Sequence, residues 1–146
     1  MNPTERGPVE RTRAQRAQLA LALEFCSTPK PGNVDRHREY PDLRFEHFVA
    51  GTIGAHEGLA LAATVEETGE SDPVGVGRAF ERAVAGMCDQ EGGNTQFGAL
   101  LVVVPLVRAA AHGNLSPEGA TAVADATTVG DAADFYRAFE HVDVAV

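Results

Sequence analysis

The apolar positions of this chain recur with the spacing of a helix almost from end to end. Ala17, Leu21 and Phe25 fall four apart in a stretch rich in Ala, Leu, Arg and Gln, which predicts a helix from about Pro8 to Cys26, stopped by Thr28-Pro29. Phe45, Phe48, Val49, Thr52, Ile53, His56, Leu59, Ala60 and Ala63 form one helical stripe. They predict a second, long helix from Pro41 or Asp42 to about Glu67, closed by Gly69. Asp72-Pro73 reads as an N-cap with proline in the first turn, opening a third helix through Phe80 and Val84 to about Cys88. Asn94 or Thr95 caps a fourth, which runs through the apolar stretch to His112, with Gly113 as stop and a kink at Pro105. Ser116-Pro117 starts a fifth, and Thr128-Val129-Gly130-Asp131 a sixth through Phe135, Tyr136 and Phe139. No segment alternates with a period of two. The expectation is an all-α, multi-helical single domain over residues 1–146, with about six helices and no internal repeat.

Composition narrows the classes of function. The 146 residues suffice for one domain with a real core, and the net charge of -9 disfavours a broad phosphate-neutralising surface, so no nucleic acid is expected as a partner. The segment Met1 to Gly7 lacks an apolar signal core, and the apolar run from Ala99 to Val107 is too short to span a bilayer. A cytoplasmic protein with no membrane partner is expected. Cys26 and Cys88 lie far apart in helical segments without a Cys-x-x-Cys spacing, which favours free thiols over a disulfide or zinc site. Surplus acid, much arginine and a single lysine fit a GC-rich, salt-adapted (halophilic) source.

That single lysine draws attention to its surroundings. Lys30 sits between Pro29 and Pro31, followed by Gly32, Asn33, Val34, Asp35, Arg36 and His37. Prolines that fix φ and a glycine free to take φ > 0 make this a shaped loop presenting charge. The bland alternative is that Lys30 is what remains after arginine has replaced lysine elsewhere. A second loop, Gly92-Gly93-Asn94-Thr95-Gln96-Phe97-Gly98, leads paired glycines into a helix N-terminus, where unpaired N–H groups favour an anion. A plain glycine turn with an Asn cap is equally common. His56 lies on the apolar stripe and reads as a core histidine. Its neighbour Glu57 is a modest candidate for metal or substrate contact. Asp134 and Arg137 are spaced to pair on one helix, whereas Asp131 either caps a helix or, near phosphate, holds a metal.

Taken together, Thr28-Pro29-Lys30-Pro31-Gly32-Asn33-Val34-Asp35 resembles the Thr-Pro-Lys-Pro-Gly-x-Val-Asp signature of the triphosphoribosyl-dephospho-CoA synthase family. Asn94-Thr95-Gln96-Phe97-Gly98-Ala99 resembles that family's second signature, Asn-Thr-His-Lys-Gly-Ala, with Gln96-Phe97 in place of His-Lys. The resemblance implies an all-helical transferase that moves the triphosphoribosyl group of ATP to the ribose 2'-hydroxyl of 3'-dephospho-CoA, or a related acceptor, releasing adenine. It implies ATP as substrate with Mg²⁺, and as catalytic residues Asp35, the carboxylate beside an oxocarbenium-like centre, and Lys30. Lys30, Gly32, Arg36 and His37, with Gly93, Asn94, Thr95 and Gln96, would hold phosphates, ribose or base, and Glu57 and Asp131 are the metal candidates. Family members are longer, so the chain is expected to match the N-terminal part of a larger helical fold, completed by further copies or a second polypeptide. The alternative is a catalytically degenerate nucleotide-binding or interaction module.

Overall fold

The computed structural model describes residues 9–65 and 74–144, and among them every regular element is a helix. Helix α1 spans Arg13–Cys26, α2 Phe45–Gly54, α3 His56–Ala62, α4 Val76–Met87, α5 Phe97–Ala111, α6 Pro117–Asp125 and α7 Val129–Arg137, with a 3₁₀ turn at Ala138–Glu140. The all-α expectation therefore holds, with seven α-helices where about six were expected.

The additional helix comes from a break in the long second one. The chain turns at Ala55, where α2 ends and α3 begins, and α3 ends at Ala62, short of Glu67. The stripe is also rotated from the one the hydrophobic residues suggest. The buried positions are His47, Phe48, Gly51, Thr52, Ala55, Gly58, Leu59 and Ala62, whereas Val49, Ile53 and His56 are exposed. The cause lies in the partner, α4. A Cβ added at Gly54 would collide with the Gly86 carbonyl, and one at Gly58 with the backbone of Ala79 and Ala83. Small residues turn inward because two backbones touch, and bulkier neighbours are displaced outward. His56 is thus no core histidine. Its Nδ1 lies 2.9 Å from Gln18 Oε1 at the surface.

The other boundaries move by a few residues for identifiable reasons. Thr12 caps α1 through a reciprocal box with Gln15, so the helix starts at Arg13 rather than at Pro8, which lies outside the described residues. Asp72 and Pro73 also lie outside the described residues, and α4 is observed from Val76 after Gly75. Gln96 occupies the N-cap position of α5, although Asn94 supplies the capping oxygen, accepting from Phe97 N–H at 3.1 Å. Pro105 lies inside α5 without ending it, and Gly113 follows with φ 76°. Ser116 caps α6, and Thr128 with Asp131 forms the box that opens α7.

Helix α4 is the spine of the molecule, packed against α2, α3, α5 and α7. Ala79, Ala83, Val84 and Met87 on it are completely buried, with Leu59, Leu100 and Val104 closing over them. An aromatic group extends this core, with Phe135 stacked on Phe80, Phe97 meeting Phe80 edge to face, and Phe139 touching both Phe97 and Phe135. Arg108, 2 % exposed, donates to the carbonyls of Ala62 at 2.9 Å and Leu61 at 3.3 Å, so the last turn of α3 is closed by a cation where the helix dipole favours one. A smaller apolar cluster of Phe25, Val34 and Phe48 joins α1 to α2. Cys26 and Cys88 are free thiols, each half-buried.

Candidate functional site

The Lys30 loop is pinned by three devices that its own sequence supplies. Gly32 takes φ 79°, closing a turn in which Asn33 N–H donates to the Lys30 carbonyl at 3.0 Å. Val34, 1 % exposed, plugs between Phe25 and Phe48. Asp35, 5 % exposed, then turns its carboxylate back, accepting from Lys30 N–H at 3.0 Å and from His37 N–H at 2.8 Å. The Lys30 and His37 amides hold the Asp35 carboxyl below its ordinary pKa, with help from the Arg38 amide and against the penalty of burial. Both oxygens of the expected catalytic carboxylate are thus engaged in shaping the loop.

Lys30 does not extend freely from it. Its Nζ pairs with Glu24 in the last turn of α1, the lysine side chain being 14 % exposed and the glutamate 48 %. Arg36 and His37 are exposed.

The second signature is wired from within. The Gln90 amide donates to the carbonyls of Met87 at 3.0 Å and Gly93 at 2.6 Å and accepts from Gly92 N–H at 2.6 Å, while Gly93 takes φ 62°. Asn94, besides capping α5, reaches the Asp143 carbonyl at 3.4 Å. Gln96, 5 % exposed, points into the protein rather than toward a ligand. Its Oε1 accepts from the Thr52 hydroxyl at 2.8 Å, its Nε2 donates to the Leu21 carbonyl at 3.2 Å, and its backbone N–H meets Met87 Sδ at 3.2 Å. Phe97, in the place of the signature lysine, belongs to the aromatic core. The two departures from the signature are therefore both absorbed into packing.

Between the two signatures lies a cleft of about 340 Å³. Asn33 comes to it from the first loop and Asn94 to Ala99 from the second, with Leu43 and Phe48 as apolar floor and Glu24 as the ionisable side chain in the wall. One feature there suits an anionic ligand. The N–H groups of Gly98 and Ala99, in the first turn of α5, meet no acceptor among the described residues. The Thr95 hydroxyl oxygen, by contrast, is buried close against Gly51 without a hydrogen-bond partner among the described residues and is closed off from the cleft.

The remaining candidates sit elsewhere. Glu57, on α3, is clamped by Arg82, whose Nη2 approaches Oε2 at 2.7 Å, and this hydrogen bond depresses its pKa. Asp131 lies at the start of α7, accepting from Gly77 N–H at 2.8 Å and from Thr128 N–H and hydroxyl, both at 2.9 Å. Burial alone would raise its pKa, but these hydrogen bonds and the nearby Arg108 charge outweigh it and bring it down. Glu57 and Asp131 share no site with the cleft or with each other, and among the described residues no group of three or more His, Cys, Asp or Glu is placed to hold a metal. Asp134 and Arg137 pair as their spacing suggests.

Sequence reasoning missed Glu24. The available signal was its position, an acid in the C-terminal turn of a helix, where the dipole disfavours negative charge, shortly before the chain's single lysine.

No curated protein and no solved structure matches the chain. A family model does, over residues 10–146, and its description is ATP:dephospho-CoA triphosphoribosyl transferase. With that match spanning both signature segments and the cleft between them, the chain belongs to the CitG family of transferases.

Proposed function

We propose that this chain moves the triphosphoribosyl group of ATP to the 2'-hydroxyl of 3'-dephospho-CoA or a related acceptor, with release of adenine. One observation carries the reading: Asn33 of the first signature and Asn94 to Ala99 of the second, far apart in sequence, line a single cleft, beside Glu24, which holds Lys30. In this reading the Lys30 ammonium and the free N–H groups of Gly98 and Ala99 take the triphosphate, a charge-assisted site at a helix start. Arg36, exposed on the same loop, meets phosphate at the outer edge. Asp35 positions Lys30 rather than touching substrate, because its oxygens are occupied by the loop's amides. Mg²⁺ in this reading arrives on the nucleotide and keeps most of its waters, rather than sitting in a protein-built cage.

Calorimetry with MgATP followed by chromatography for adenine, in the presence of dephospho-CoA, tests the reading. Binding and adenine release are the expected result. Lys30→Ala should weaken MgATP binding by about tenfold or more, the worth of a charge-assisted hydrogen bond. Absence of adenine from the folded wild-type protein would sink the transferase reading. A second reading is favoured by the burial of Gln96 and Phe97, the residues standing where the signature has His-Lys: a nucleotide-binding module without turnover. It predicts thermal stabilisation by MgATP and no adenine.

A further inference from the structure

Glu24 is the ionisable side chain in the cleft wall, and it is the group no signature includes. Its backbone is fixed, since the Ser27 hydroxyl and N–H both donate to the Glu24 carbonyl, at 2.6 and 3.3 Å. Its carboxylate is half exposed, unlike that of Asp35, whose oxygens are both engaged by backbone amides in a site 5 % exposed. It stands at the negative end of the α1 dipole, an unfavourable place for a carboxylate, and Lys30 Nζ offsets that cost. A triphosphate carries several negative charges against the single charge of Glu24, so it competes effectively for the same ammonium.

We propose that Glu24 is the carboxylate that acts on the reacting atoms, held by Lys30 in the free protein and released toward the cleft when the triphosphate takes that cation. The inference rests on the transferase reading above. In the transfer step the acceptor hydroxyl oxygen forms a bond to the anomeric carbon of the ATP ribose. The N-glycosidic bond to adenine breaks, and its electron pair leaves with the base. Glu24 faces the positive charge that develops on the ribose and takes the hydroxyl proton. That proton passes to solvent as adenine takes one up, so the net change is one proton moved from hydroxyl to adenine. Such a group is worth about 10²- to 10⁴-fold in rate.

Glu24→Gln keeps the shape and removes the charge. Adenine release should fall at least about 10²-fold, while MgATP binds at least as tightly as to wild type, because Lys30 has lost its competitor. Glu24→Asp, which keeps a carboxylate one methylene further back, should recover part of the rate. Glu24→Gln turning over within threefold of wild type would overturn the proposal. So would a loss of ATP affinity in Glu24→Gln seen with Mg²⁺ but not without it, which would make Glu24 a metal holder. Wild-type protein that releases no adenine fails the transferase reading itself and takes this inference with it, a result separable from an active wild type beside an active Glu24→Gln.

Discussion

Gly98 occupies the first turn of α5 with open space where a Cβ would stand, and it lines the cleft. A glycine in a helix normally costs about 0.5–1 kcal/mol relative to alanine. Gly98→Ala should therefore raise thermal stability, by about 0.5 kcal/mol at this first-turn position, and weaken MgATP binding severalfold by narrowing the approach to the helix start. Thermal melts and calorimetry on one sample give both halves, and a variant that gains stability without losing affinity would remove the helix start from the phosphate site. At this scale the sequence was legible in part. The left-handed Gly32 follows from residue types in a proline-bounded loop. The direction in which a side chain points does not. Nothing local distinguishes an Asp35 that faces substrate from one that folds back onto its own amides, or a Gln96 that meets ligand from one that ties Thr52 to Leu21.

Helices α2, α3 and α4 make the same point through packing. Periodicity located a helical segment, expected from Pro41 or Asp42 and observed from Phe45, but took the large residues as the inward face. That assumption fails wherever two helices approach closely enough to exclude side chains, as Gly54, Gly58 and Gly86 do here. Gly54→Ala should lower stability by about 2–3 kcal/mol, the cost of forcing apart a packed backbone pair. Chemical denaturation monitored by circular dichroism would measure it. A change under about 0.5 kcal/mol would mean that α2 and α4 separate without penalty. The break at Ala55 follows directly on Gly54, a glycine of the same contact. By contrast α6 and α7 begin where Ser116 and Thr128 mark them, since caps are local chemistry and can be read locally.

For the whole molecule, acid response follows from three carboxyls. Asp35, Glu57 and Asp131 all titrate below their ordinary values of 3.8, 4.5 and 3.8 in the folded chain. They stay ionised in the native state at a pH where the unfolded chain binds protons. Their stabilisation is complete above the unfolded values and lost as pH falls through the folded ones. The melting temperature should therefore drop as the pH is lowered below about 4.5. Asp131→Asn, which removes the charge that Gly77 and Thr128 solvate, should melt lower near neutrality and show a shallower acid decline. Among the described residues no helix is long and apolar enough to cross a membrane, although Ile53, Val102 and Tyr136 stand well exposed on the outside of the bundle. The Gln96 clasp also reaches across the molecule. Its amide bonds the Leu21 carbonyl in the middle of α1, and Glu24 follows less than one turn later on the same helix. Anything that settles against the second signature thus stiffens α1 through its own backbone. Slowed amide hydrogen exchange along residues 21–26 would then report occupancy of the cleft without any label on the ligand.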